Sequence, residues 1–145
     1  MFLTRAIYVS QPTQTINPEE AEIVLQKICQ AALKRNAENG ISGLLAYDSG
    51  HFVQVLEGER SVITETLIRI SQDPRHTQFK LCVLEEVHAR AFEDWATALI
   101  SPTDWPSNHP RIVDFDCLTG DALLERLHYI RRKGVTCSWS LSDAA

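Results

Sequence analysis

Two apolar runs, residues 41–47 and 51–57, flank Asp48-Ser49-Gly50, and no other feature of the chain restricts its fold as tightly. A short polar turn with glycine between two strand-like runs signals a β-hairpin, because glycine enters the left-handed backbone that tight turns need. Amphipathic stretches stand on both sides of it. Ahead, Asn17-Pro18-Glu19-Glu20 reads as a helix start: Asn17 caps, proline suits the first helical position, and Glu20 reaches back to the cap amide. Ala21, Leu25, Ile28 and Ala32 then recur at helical spacing as a buried stripe, and Asn39-Gly40 ends the helix. Behind the hairpin, residues 61–72 carry Ile63, Leu67 and Ile70 on one face. Asp73-Pro74 stops that helix, since the residue before proline disfavours helical backbone. Residues 3–10 form a first strand, with Ile7 and Val9 on one face and Ala6, Tyr8 and Ser10 on the other. Residues 81–87 supply a fourth strand and 95–100 a fifth.

The order β-α-β-β-α-β with an extra strand predicts an α+β fold, a ferredoxin-like sandwich with two helices on one face of a sheet. Residues 1–100 make up this unit, and 101–145 form a linker and a C-terminal helical extension. The linker, 101–110, is rich in Pro, Asp, Ser and Asn. Leu123, Leu124, Leu127 and Ile130 give the segment 120–133 an apolar face, which requires burial as a cap on the open face of the sheet or in a subunit interface.

Composition narrows the function classes. A hydrophobic content of 44% with 23% charged residues belongs to a globular chain rather than a disordered one. The net charge is -5 with the signs interspersed, so no basic stripe marks a nucleic-acid partner. No apolar run approaches the roughly 18 residues of a membrane span, and the amino terminus has no secretory pattern, so a cytoplasmic location is expected. Cys29, Cys82, Cys117 and Cys137 form no C-x-x-C pair or metal-finger spacing. Reduced thiols and no metal site are the expectation.

Polar residues on apolar faces carry the chemical information. In the third strand Phe52, Gln54 and Leu56 share a face, and His51, Val53, Val55 and Glu57 share the other. Gln54 is therefore an amide between two large apolar side chains, and a buried amide without partners costs about 1–3 kcal/mol. Tyr8 poses the same problem in the first strand. Each residue alone fits an ordinary core position bonded to backbone. Together they occupy neighbouring strands of a ferredoxin-like sheet, where a phenol and an amide can meet over one bound group. Asn36, near the end of the first helix, fits a helix-terminal cap or a ligand contact.

Five ordered segments extend this pattern over residues 3–100. Arg5-Ala6-Ile7-Tyr8-Val9-Ser10 resembles the opening strand of BLUF domains, blue-light sensors that bind flavin. Residues 36–45, from Asn36-Ala37-Glu38-Asn39-Gly40 to Leu45, resemble their helix-to-strand junction. His51-Phe52-Val53-Gln54-Val55-Leu56-Glu57-Gly58 is similar to the family's most distinctive stretch. Gln72-Asp73-Pro74-Arg75-His76 and Phe92-Glu93-Asp94-Trp95 continue the likeness.

The resemblance implies a flavin held between the two helices with its ring toward the sheet: FAD in the first instance, FMN or riboflavin as alternatives. It implies that Tyr8 gives an electron and then a proton to the excited flavin, and that Gln54 relays between phenol and ring. Gln54 is then left rotated or tautomerised, shifting the flavin absorption to the red. It further implies an amide contact from Asn36 to the polar ring edge, and ring walls from Ile28 and Ile70. Arg35, Arg69 and Asp73 would lie at the ring edge, ribityl chain or phosphate, with Arg75 and His76 lining the pocket. Trp95 and Thr97 stand where the family relays the signal, though many members carry methionine at the position of Thr97. About 45 residues follow the fifth strand, too few for a catalytic effector, so the expected output is not enzymatic. It passes to a downstream signalling protein or a homo-oligomer. Other functions of the same scaffold are an acylphosphatase-like hydrolase, a flavin module with impaired signalling, and a ligand-free interaction domain. The hydrolase needs an arginine-bearing phosphate loop after the first strand, and Ser10-Gln11-Pro12-Thr13-Gln14 has neither arginine nor glycine.

Overall fold

The computed structural model describes residues 2–138. The chain runs β1 (Leu3–Pro12), α1 (Pro18–Glu38), β2 (Ser42–Asp48), β3 (His51–Gly58), α2 (Arg60–Ser71), β4 (His76–Val87), β5 (Trp95–Leu99), α3 (Gly120–Lys133) and β6 (Val135–Ser138). The six strands form one sheet in the order β4-β1-β3-β2-β5-β6. Its first four strands have the expected ferredoxin-like arrangement, antiparallel throughout; β5 joins β2 in parallel and β6 returns antiparallel along β5.

Local chemistry sets the ends of the elements that position the site. Asn17 caps α1 by accepting the Glu20 amide at 2.8 Å, and the Glu20 carboxylate accepts the Asn17 amide in return. Gly40 ends the helix in the left-handed region at φ +68°. The β2–β3 turn is Ser49-Gly50, both at positive φ, between the paired residues Asp48 and His51. That pair of positive φ values matches the strand twist and fixes the hairpin register. Helix α2 begins one residue earlier than expected, after Glu59, whose side chain makes no cap bond.

The buried stripe of α1 is Ala21, Leu25, Cys29, Ala32 and Asn36. Ile28, expected within it, is only partly buried, because it faces a cavity rather than the packed core. Cys29 is disulfide-bonded, against the expected free thiol, while Cys82 and Cys117 are free. Strand β4 starts at His76 rather than at residue 81. Its pairing with β1 breaks register twice, and Gln78 sits at φ +53°, so the strand lacks the clean alternation by which it could be read. Strand β6 is an addition to the expected elements. Residues 139–145, the end of the expected extension, lie outside the described residues. Among those described, no helix is long and apolar enough to cross a membrane.

Apolar cores cover both faces of the sheet. Helices α1 and α2 pack over Ala6, Leu45, Phe52, Leu56 and Trp95. On the opposite face Leu123, Leu127 and Ile130 of α3 pack over Ile7, Val9, Leu44, Val53 and Val55, so the helix caps the sheet of its own chain. A buried ion pair fixes that cap: Arg126 donates through Nε and Nη2 to Asp48 at 2.5 and 2.9 Å, with both side chains almost wholly buried. Arg126 also donates to the Pro110 and Arg111 carbonyls and lies 3.9 Å over the Trp105 ring. Removing one partner strands the other charge, so Arg126→Ala is expected to cost about 3–5 kcal/mol of unfolding free energy. Replacing both partners by apolar side chains, Asp48→Leu together with Arg126→Met, should lose markedly less in the same urea titration.

Candidate functional site

Antiparallel register brings Tyr8 of β1 and Gln54 of β3 opposite one another on the face covered by α1 and α2. Both are buried, at 3% and 4% exposure. Gln54 Nε2 donates to the Tyr8 hydroxyl at 2.5 Å. From the other side, Trp95 Nε1 donates to Gln54 Oε1 at 3.1 Å. Indole is a donor only, so the amide must turn its oxygen to Trp95 and its nitrogen to the phenol. The three side chains form a directed chain across four strands, with β2 between β3 and β5. Gly43, the β2 residue in register with both Trp95 and Leu56, sits at φ +142°, and a Cβ there would lie 1.9 Å from the Val55 carbonyl. Only glycine lets β2 pass so close to β3.

Burial raises the Tyr8 pKa well above the usual tyrosine value; the bond from Gln54 offsets part of the effect and the nearby Asp73 charge adds to it. The phenol is therefore neutral at rest. Phe79 stacks on it with ring centroids 4.7 Å apart. His76 holds the adjoining wall by bridging the Ser10 hydroxyl and the Ile70 carbonyl, each at 2.6 Å.

A cavity of about 330 Å³ opens over this chain between α1 and α2. Tyr8, Gln54 and Trp95 form part of its floor and Ile28, Val24 and Ile70 part of its walls. Asn36 reaches it from the last turn of α1. That residue is 5% exposed, and its backbone carbonyl accepts the Ile41 amide at 2.8 Å, while its side-chain amide bonds to no group among the described residues. An amide that lines a cavity without a protein partner suits a ligand with polar atoms there. Arg35, Arg69, Asp73, Arg75 and His76 also line the space. Arg75 clamps Asp73 through Nε and Nη2, which holds the Asp73 carboxyl below its ordinary pKa. Apolar walls, a free amide and arginines fit a flat heteroaromatic group with an anionic extension, which is the chemistry of a flavin.

Each residue expected at the flavin site thus lines one cavity, along with Trp95. Thr97 is set apart. It is fully buried, but its register partner is Leu45, which pairs with Gln54 on its other side, so Leu45 stands between them. Thr66, Val24 and Phe79 belong to the site and escaped the sequence reading. Thr66 and Val24 each lie four residues before an expected wall isoleucine, a spacing that could have found them. Phe79 lies in the irregular part of β4, where no alternation marks it.

Residues 3–98 match the family model of sensors of blue-light using FAD, termed BLUF. The beta subunit of the photoactivated adenylate cyclase of Euglena gracilis is 30% identical over 112 residues, 77% of this chain but 13% of that protein. Among solved structures, the dark state of the BLUF protein BlrB is 37% identical with a TM-score of 0.59, covering 71% of this chain and 75% of that one. The ground state of BlsA has a TM-score of 0.66 over 88% of this chain and 87% of its own, at 24% identity, a likeness of fold. A family match that takes in β1 to β4, nearly all of β5, the helices α1 and α2 and the cavity floor is decisive: the chain belongs to the BLUF family of blue-light sensors that use flavin.

Proposed function

We propose that this chain reports blue light through a rearrangement of the Gln54 amide between Tyr8 and Trp95, driven by a flavin seated in the α1–α2 cavity. The observation that carries the reading is the directed chain itself: a buried phenol and a donor-only indole grip opposite ends of one amide on the cavity floor. When bound, the flavin supplies light absorption and an excited state that accepts an electron. The protein's part is to orient groups and hold protons.

Tyr8 is the electron and proton donor in this reading. Its phenol stays protonated in the dark because burial disfavours the phenolate, so the proton leaves only after the electron has gone. Gln54 touches the phenol through Nε2 and lines the cavity, which suits it to pass the proton toward the ligand and back. Once its bond to Tyr8 is disturbed, the amide can turn. A turned amide presents a different atom to the ligand and to the indole, and that difference is the stored signal. Asn36 would hold the polar edge of the ring, Ile28 and Ile70 would confine its faces, and Arg35 and Arg69 would attract the phosphate of FAD or FMN; Asp73, Arg75 and His76 line the adjoining wall. Trp95 is the first relay residue because its indole bonds the switching amide; Thr97, behind Leu45, follows it along β5. The output passes to a downstream signalling protein or a second copy of the chain, with no reaction catalysed by this unit. The photoactivated cyclase relative carries its homologous segment within a far longer chain, which supports a sensing role for the segment.

The light-minus-dark absorption spectrum tests this directly. Wild type should show a reversible red shift, and Tyr8→Phe and Gln54→Leu should each lose it while retaining flavin; a shift surviving in either variant contradicts the mechanism. The raised Tyr8 pKa adds a pH expectation. The phenol is protonated below the ordinary tyrosine value of about 10 and stays so above it, so the size of the shift should be constant between about pH 6 and 10. A shift that titrates away near neutrality would mean that another group sets the response.

A further inference from the structure

Glu57 is a carboxylate with 0% exposure, three residues along β3 from Gln54 and on the opposite face. Burying such a charge is costly unless it is fully bonded. Its partners are specific: it accepts the Ala91 amide at 2.9 and 3.0 Å and the Phe92 amide at 2.9 Å, and pairs with Arg5 at 2.9 Å. Ala91 and Phe92 belong to the segment between β4 and β5, which ends at Trp95. The same segment grips back. Arg90 donates to the Glu57 carbonyl at 3.0 Å, the Ser42 hydroxyl at 2.7 Å and the Gly40 carbonyl at 2.7 Å. One residue before Trp95, the Asp94 carbonyl accepts the Gly43 amide at 2.9 Å.

Connecting segments at a protein surface are ordinarily its more mobile parts. Here a short connection is tied to β3, β2 and the end of α1, with a buried charge committed to the task. Glu57 lines neither the α1–α2 cavity nor the cleft of about 750 Å³ beside the connection. The residue that gains from the fixation is Trp95. As the first residue of β5 it takes its position from the connection, and its indole must meet Gln54 at hydrogen-bond distance.

We infer that Glu57 and Arg90 are positioning residues for the light response: they clamp the β4–β5 connection and so fix the Trp95 indole that orients the Gln54 amide. The connection also touches the cap. Phe92 stacks on His128 with centroids 4.6 Å apart, and Asp94 pairs with Arg131 at 3.0 Å, so a change at Trp95 has a direct mechanical path to α3.

The inference rests on the switch proposed above, and its test separates the two. Arg90 is exposed on the rim of the cleft, so Arg90→Ala removes no packed apolar side chain; Glu57→Gln keeps the shape of the buried side chain and removes its charge. In flavin-loaded protein, Arg90→Ala, which removes three charge-assisted hydrogen bonds, should change the rate of return to the dark spectrum by about threefold or more, in the same direction as Trp95→Phe. The double variant should recover at the rate of Trp95→Phe alone, because both changes act through one group. Arg90→Lys, which keeps the charge and loses the fork, should fall between wild type and Arg90→Ala. In flavin-free protein labelled with ¹⁵N-tryptophan, the Trp95 indole proton should exchange with solvent faster in Arg90→Ala and Glu57→Gln than in wild type. Wild-type recovery and exchange in Arg90→Ala, or effects that add in full to those of Trp95→Phe, would overturn the inference. A wild-type protein with flavin but no red shift would instead overturn the switch itself.

Discussion

A single buried amide, held at one end by a phenol and at the other by an indole, is the constraint on which the rest of this structure depends. Gln54 has two different hydrogen-bonding ends, and its neighbours are not interchangeable. Trp95 can only donate, so it takes the oxygen, and the nitrogen is left for Tyr8. The resting orientation is thus dictated by chemistry rather than by packing alone. An amide set this way has one other orientation available about its last torsion, which is what a two-state reporter needs.

The scaffold meets the demands of that amide at several levels. Antiparallel pairing of β1 with β3 sets Tyr8 against Gln54, and the parallel addition of β5 to β2 brings Trp95 within reach from the far side. Gly43 permits the close approach between β2 and β3. The opposite face is covered by α3, locked to the β2–β3 turn through Asp48 and Arg126. The hairpin that carries Gln54 is consequently gripped at its turn by the cap and at its base by the Glu57 and Arg90 contacts. Rigid surroundings matter because a small rotation in a loosely held site would dissipate in local motion instead of biasing neighbouring elements.

Features fixed by neighbouring residues were legible in the sequence. The Asn17–Glu20 capping box, a glycine-bearing turn at Asp48-Ser49-Gly50 and the apolar face of α3 each follow from a few adjacent side chains, and the structure has all three, with the turn narrowed to Ser49-Gly50 because Asp48 pairs with His51. Tyr8 and Gln54 were legible as polar residues on apolar faces, and the family likeness supplied the reason to join them. Features that need distant parts of the chain were not. Asp48 and Arg126 are 78 positions apart, and an arginine within a helix ordinarily reads as a solvated residue. Phe79 was hidden by the irregular pairing of β4 with β1, and β6 is too short for periodicity to reveal. Cys29 shows the same limit, since its disulfide joins positions that spacing alone did not connect. The separation of Thr97 from Gln54 by Leu45 follows from the parallel register of β2 and β5, which no local pattern encodes.

The most direct test of this account is the light-minus-dark infrared difference spectrum of flavin-loaded protein carrying isotopically labelled glutamine. If the amide between Tyr8 and Trp95 is the element that changes, a label-sensitive amide carbonyl band must appear on illumination, decay with the red-shifted absorption, and vanish in Gln54→Leu. A red shift that forms and decays with no label-sensitive band would contradict the account, because the light signal would then be stored somewhere other than the Gln54 amide.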